Sequence, residues 1–240
     1  MFGRIINLAE RADRWARVQA YIEKSKHDIR RFEAVRVKKD KALEFLSPRA
    51  RADFLKSTRY QHEAIFGVGA VGCALSHLGV WREFLNSNAE HAIILEDDVD
   101  PRFANDLDSK VAEMKDCDIF LLGWCGARPL TLNDGSVVPF PSSKGFVGAH
   151  AYVLNRRAAE TLCIHAFPLE MQADFAIQAI ADQFNLKIKC ASTPIKQKYS
   201  GSFDNLLGSN ILTLCVFCEP TWVYAAFGIL LALLFVSYVK

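Results

Sequence analysis

Residues 91–95, HAIIL, form an apolar run with no polar alternation, and the run ends in Glu96, Asp97, Asp98 and, one valine later, Asp100. A strand with one wet face alternates polar and apolar side chains, whereas a continuous apolar run needs cover on both faces. Cover on both faces means helices above and below the strand, the layering of an α/β domain with a mostly parallel central sheet. Such sheets bind ligands in the crevice beyond the C-terminal ends of their strands. That is where this chain places four carboxylates. Acidic groups at that density repel one another and call for a counter-charge.

The rest of the chain supplies matching strands and helices in alternation. Residues 3–9 (GRIINLA) and 30–35 (RRFEAV) read as strands, and 9–26 as an amphipathic helix with Trp15, Val18, Tyr21 and Ile22 at helical spacing. Residues 40–65 look helical, charged and peripheral. A helix is expected over 69–88, with Leu75, Leu78, Trp81 and Leu85 as its apolar stripe. After the strand at 91–96 come a helix near 102–115, a strand at 118–123, an irregular hairpin around Asp134–Gly135, a strand at 149–154, and helices over 155–166 and 172–184. No internal repeat or low-complexity tract interrupts the pattern. The reading is a globular domain over 1–200, a polar linker over 201–220 and a distinct tail over 221–239.

That tail, TWVYAAFGILLALLFVSYV, has no charged residue and is followed by Lys240. As a helix it would span roughly 28 Å, close to the hydrocarbon thickness of a bilayer. Trp222, Tyr224 and Tyr238 lie near its ends, where interfacial aromatics belong. A single-pass C-terminal anchor is expected, with a buried core helix as the alternative. The N-terminal residues show no long apolar segment ahead of their charges, unlike a signal peptide. The catalytic part is therefore expected on the cytosolic side of the membrane.

Seven cysteines without regular spacing fit a reducing compartment rather than a disulfide framework. Cys215 and Cys218 form a CxxC without a second pair or nearby histidines, which argues against zinc there. Residues 1–60 carry 16 Lys/Arg against 8 Asp/Glu, and the remainder 13 against 19. The basic first quarter suits phosphate groups or an anionic surface, and equally a solvated helix face. No nucleic-acid-binding motif accompanies it, and no nucleic-acid partner is expected.

On an extended chain, positions i and i+2 point to one side. Glu96 and Asp98 should therefore face one way and Asp97 the other. Two carboxylates on one side make a hard oxygen site of the kind Mg²⁺ or Mn²⁺ prefers, completed by water and substrate phosphates. Asp100, before Pro101, fits the start of the next helix.

The segments IINLAERADRW, RFEAV, GAVGCALSHLGVWREFL, AIILEDDV, GAHAYVLNRRAAETL and STPIKQKYSGS occur in this order at suitable spacing. Together they resemble glycosyltransferase family 25, the group of lipooligosaccharide and procollagen galactosyltransferases, across residues 3 to about 202. The resemblance implies a GT-A-like nucleotide-sugar-binding fold. It also implies a metal-dependent inverting transfer of a hexose, commonly galactose, from a UDP-sugar to a glycan, glycolipid or protein acceptor, as in lipopolysaccharide biosynthesis.

Carried onto this chain, the resemblance gives Glu96 and Asp98 the DxD-like position that holds metal and nucleotide. Asn7 and Leu8 match the family's INL near the nucleotide. Arg11 and Arg14 follow on the helix and could approach a phosphate; Arg14 would equally suit a helix surface. Ser76 and His77 match the family's SH. A histidine there can face the donor or serve as a core residue. Tyr152 reads as packing. Asp174 matches the aspartate before the last helix and is the candidate general base, with Asp97 as competitor. Pro194 and Gln197 match the closing element near the diphosphate, with Lys196 or Lys198 adding charge. RVKKDK lacks an acidic-glycine pair usual after the second strand, and LEMQADF is looser than the family run, both on the acceptor side. A different class of reading is a non-catalytic, membrane-anchored adhesion or scaffold protein that keeps the fold.

Overall fold

The computed structural model describes residues 1–56, 63–125, 128–138 and 145–197. The expected linker and membrane tail lie outside the described residues. Among the described residues, no helix is long and apolar enough to cross a membrane.

The chain is a mixed α/β domain. A six-stranded sheet is built from β1 (Phe2–Asn7), β2 (Ile29–Glu33), β3 (His91–Glu96), β4 (Ile119–Leu121), β5 (Ala151–Asn155) and β6 (Ile188–Cys190), in the order β2-β1-β3-β5-β4-β6. β1 pairs in parallel with β2 and β3, and β4 with β6. β5 runs antiparallel between β3 and β4. Five strands therefore share one direction and β5 is reversed, as the mostly parallel expectation required.

The apolar run at 92–95 behaves as its composition demands: Ala92, Ile93, Ile94 and Leu95 are all 0% exposed. Helices α1 (Ala12–Ile22) and α5 (Phe103–Ala112) pack together, and α4 (Val68–Leu85) packs with α6 (Arg156–His165) and α7 (Ala173–Gln183). β3 is enclosed by this cover. β6 was not anticipated from sequence. Three residues, Ile188–Cys190, carry too little pattern to be distinguished, and pairing with β4 is what makes them a strand.

The expected peripheral helix at 40–65 is instead two short helices, α2 (Lys39–Ala42) and α3 (Pro48–Phe54), joined by a 3-10 turn at Leu43–Phe45. Ser47 caps α3 by accepting the Ala50 N–H at 3.2 Å, and Pro48 occupies the first helical position, which needs no N–H. This insertion has its own core: Ala42, Leu46, Ala50 and Ile65 close against Ala70, Val71 and Ala74 of α4, and against Leu169 and Ala173. The farther half of α4, through Leu78, Val80, Trp81 and Phe84, belongs to the main core around the sheet. One helix thus walls two cores. The expected hairpin survives as a short turn: Thr131 bridges Val137 in antiparallel fashion, and Gly135 takes the left-handed conformation at φ +80°.

Candidate active site

Parallel pairing aligns Ile6 of β1 with Glu96 of β3, so both strands end at the same level. The Asp97 N–H continues the ladder to the Ile6 carbonyl at 3.1 Å. The reversed β5 begins at this end, and the Glu96 N–H donates to the His150 carbonyl at 2.9 Å. After β6 the chain comes back over the same edge. Val99 bridges Gln197, and the Asp100 N–H meets the Lys196 carbonyl at 2.7 Å. Three strands and the segment after β6 therefore frame one crevice.

Strand β3 ends at Glu96, Asp97 and Asp98 lie in the turn beyond it, and the three adjacent carboxylates take separate partners. Asp97, 7% exposed, turns toward α1: Asn7 Nδ2 donates to it at 2.6 Å and Arg14 Nη1 at 2.8 Å. Arg17 Nη2 adds a hydrogen bond to its carbonyl at 3.1 Å. Glu96 goes to α4, where His77 Nε2 lies 3.1 Å from Oε1 and the Cys73 thiol 3.9 Å from the same oxygen. Asp98 is approached by Gln197 Nε2 at 3.3 Å from both carboxylate oxygens, and Cys125 Sγ donates to the amide oxygen of Gln197.

The electrostatics divide these groups. Burial pushes the Asp98 carboxyl up, the charges of Glu96 and Asp97 push further, and it reaches about 7. Burial is the largest influence on Glu96 and acts upward, but the His77 hydrogen bond and the charges of His77, His150 and Arg14 together outweigh it, and the net direction is down. Burial raises the Asp174 carboxyl, opposed by backbone N–H donors, with Glu96 adding to the rise. Burial raises the Cys73 thiol well above its usual range, helped by Glu96, Asp174 and Asp98. Geometry links Asp174 to Glu96 through one short segment: the Gly148 N–H holds Asp174, and the His150 carbonyl, two residues on, accepts the Glu96 N–H.

Asp174 stands in the first turn of α7. Its Oδ2 accepts the Gly148 N–H at 2.9 Å and its Oδ1 the Phe175 N–H at 3.0 Å. Gly148 can make that donation because it holds φ +91°, a conformation that side-chain-bearing residues seldom adopt. The segment before Asp174 is clipped to the insertion. Leu169 exchanges hydrogen bonds with Phe45 and Ser47, and the Gln172 N–H reaches the Glu63 carbonyl.

Other residues singled out in the sequence stand elsewhere. Leu8 is a turn residue whose carbonyl accepts the Arg11 N–H and the Arg31 guanidinium. Arg11 pairs with Asp13 at 2.8 Å. Ser76 is 1% exposed and staples the chain after β2 to α4, accepting the Val35 N–H at 2.8 Å and donating to the Gly72 carbonyl at 2.7 Å. Asp100 accepts the Arg102 N–H at 3.0 Å just ahead of α5, the helix-start role its place before Pro101 suggested. Lys198 lies outside the described residues. Sequence reasoning missed Gly148 as the donor to Asp174; its place three residues before a strand was the available signal.

The ligating atoms of Cys73, His77 and Glu96 lie within 4.8 Å of one another. Their chemistry argues against a thiolate centre, since the Cys73 thiol is held protonated and both His77 nitrogens are engaged. Glu96 and Asp98 fit a hard divalent cation better. They offer oxygen ligands in a crevice where three successive carboxylates crowd together.

The sequence profile of glycosyltransferase family 25 (LPS biosynthesis protein) matches residues 3–138. The chain belongs to this family. The matched span contains Asn7, Arg14, His77 and the Glu96–Asp98 run. No curated protein matches the chain. Among solved structures, it is similar to HddC from Yersinia pseudotuberculosis at 12% identity and TM-score 0.42, covering 79% of this chain and 89% of that one. It is also similar to CMP:2-keto-3-deoxy-manno-octonic acid synthetase complexed with CTP, at 11% identity and TM-score 0.41, covering 82% and 92%. A third likeness is the inositol-1-phosphate CTP transferase from T. maritima, at 11% identity and TM-score 0.36. It covers 49% of this chain, which spans 50% of that protein.

Proposed function

We propose that this family 25 glycosyltransferase is a metal-dependent inverting enzyme with a GT-A-like fold. It moves a hexose, galactose as first candidate, from a UDP-sugar to a hydroxyl of a glycan, glycolipid or protein acceptor. The observation that supports the reading is that the strand end bearing Glu96 and Asp98 is bonded to the His150 carbonyl, two residues from the Gly148 N–H that holds Asp174.

In this reading Glu96 and Asp98 hold Mn²⁺ or Mg²⁺. The cation, when bound, supplies positive charge to the diphosphate leaving group. Asp174 takes the proton from the acceptor hydroxyl as its oxygen attacks the anomeric carbon. The bond to UDP breaks on the opposite face, so the configuration inverts. Burial, which raises the Asp174 carboxyl, makes it a better proton acceptor than an exposed aspartate. The two N–H donors hold it in place without taking its proton-accepting role. Asp97, occupied by Asn7 and Arg14, positions the strand end rather than reacting. Gln197 steadies Asp98 from the segment after β6.

The uncharged run at 221–239 is proposed as a membrane anchor that keeps the enzyme beside membrane-linked acceptors, with its domain on the cytosolic side. Vesicle flotation of the full chain against one ending at residue 220 tests it. For the reaction, the test is UDP release from a panel of UDP-sugars with Mn²⁺, Mg²⁺ or EDTA. Cation-dependent release that disappears in Glu96→Ala and Asp98→Ala is expected. Release from no UDP-sugar under any of these conditions would favour a non-catalytic scaffold instead.

A further inference from the structure

Behind Glu96 lies a file of three buried side chains. Trp81 Nε1 donates to the Tyr152 hydroxyl at 2.9 Å, that hydroxyl lies 2.9 Å from His77 Nδ1, and His77 Nε2 lies 3.1 Å from Glu96 Oε1. Trp81, Tyr152 and His77 are 2%, 1% and 0% exposed, so the file is shielded from bulk solvent. His77 and Trp81 sit one turn apart on α4. Tyr152 comes from the reversed strand β5, in register with Ile94 of β3.

Donor and acceptor chemistry sets the direction of the file. An indole N–H can only donate, so the Tyr152 oxygen is an acceptor at that contact and keeps its own hydrogen to give. The acceptor available beside it is His77 Nδ1. The hydrogen of the imidazole then belongs on Nε2, where it points at the Glu96 carboxylate. The reverse arrangement would set the lone pair of Nε2 against that of Oε1 and leave a buried phenol hydrogen without an acceptor. The contacts of Glu96 with His77 and Cys73 both fall on Oε1. The Glu96 side chain remains 24% exposed while that of His77 is buried, so a ligand in the crevice meets the carboxylate and not the imidazole.

We propose that His77 is a positioning residue whose Nε2–H, oriented by Tyr152 and Trp81, pins Oε1 of Glu96 and leaves Oε2 as the oxygen offered to the cation. The inference rests on the reading of Glu96 as a cation and nucleotide-sugar ligand. It changes the role that sequence suggested for His77, from contacting the donor to aiming the residue that does. Partners that orient a metal ligand typically govern affinity by 10–100-fold.

The test measures Mn²⁺ binding to the full chain by the electron paramagnetic resonance signal of free Mn²⁺, separately from turnover. His77→Leu removes the donor and is expected to weaken binding on the order of 10–100-fold. His77→Gln, whose side-chain amide can present an N–H where Nε2 stands, is expected to recover most of it. Tyr152→Phe is expected to weaken binding while the fold, followed by near-ultraviolet circular dichroism, is retained. Because a core variant can fail to fold, the ¹⁵N-histidine spectrum of the wild-type protein provides a second arm, and it should show the His77 hydrogen on Nε2. Folded His77→Leu that binds Mn²⁺ like wild type, or a hydrogen found on Nδ1 alone, overturns the proposal. A wild-type chain that takes up no Mn²⁺ overturns the cation reading of Glu96 as well, a result distinct from normal binding in both His77 variants.

Discussion

Asp97 and Arg14 are 83 positions apart in the chain and 2.8 Å apart in the fold. The pair ties α1 to the end of β3, one residue from each of two other carboxylates. Removing one partner of a largely buried ion pair leaves the other charge uncompensated. Arg14→Ala should therefore lower stability by about 3 kcal/mol in urea unfolding. Arg14→Lys should recover part of the charge but not the fit to Asp97. A loss under about 0.5 kcal/mol would mean the pair behaves like an exposed surface one.

Asp174→Asn should cut kcat by about 10²–10⁴-fold, the range of a lost general base. The amide oxygen can still accept the Gly148 N–H, so melting temperature and Mn²⁺ affinity should stay near wild type. Asp97→Asn should act in the opposite way, costing stability first. If it abolishes turnover with stability intact, the general base is Asp97.

Gly148→Ala should cost about 1–3 kcal/mol through its left-handed backbone alone. The new Cβ would also stand 3.0 Å from His150 Nδ1 and 3.2 Å from Cys125 Sγ. Because the same residue donates to Asp174, kcat should fall together with stability. Thermal melts alongside initial rates separate this from a purely structural defect.

Two aspartates should give stability opposite pH slopes. Asp98, raised by burial and then by Glu96 and Asp97, goes from an ordinary 3.8 to about 7. Between these values the folded chain holds a proton that the unfolded chain has lost, so its stabilising share fades as pH rises toward 7. In EDTA, Asp98→Asn should therefore raise the melting temperature at pH 8 and change it little at pH 4. For Asp118, burial acts upward, but hydrogen bonds from Asn155, the Lys187 N–H and Arg157 outweigh it and lower the carboxyl. Its contribution is present above 3.8 and fades as pH falls, so Asp118→Asn should cost more at pH 7 than at pH 3.

The strand end that organises the site was legible because its signal is local. An unbroken apolar run says buried on both faces, and Ala92–Leu95 are so; the period of two reaches only to Glu96, because Asp97 and Asp98 turn out of the strand. Pairing was less legible. Nothing in AYVLN declares that β5 runs backwards, and Ile188–Cys190 becomes a strand only beside β4. The side-chain partners were least legible of all. Asn7 matches the family's INL and Arg14 reads as a phosphate or surface arginine in sequence; in this structure both hold Asp97. Tyr152 read as packing because its hydroxyl matters only once Trp81 and His77 are known to flank it.

The division of α4 between two hydrophobic clusters has a consequence for how the protein can change. Glu96 and Asp98 are anchored in the sheet, whereas the segment carrying Asp174 leans on the insertion through Leu169 and Ala173. The two sides of the crevice therefore rest on separate foundations that share one beam. Substitutions under the insertion can reshape one bank while the other keeps its form, which makes residues 39–54 the natural place to graft or shuffle without disturbing the carboxylates at 96–98.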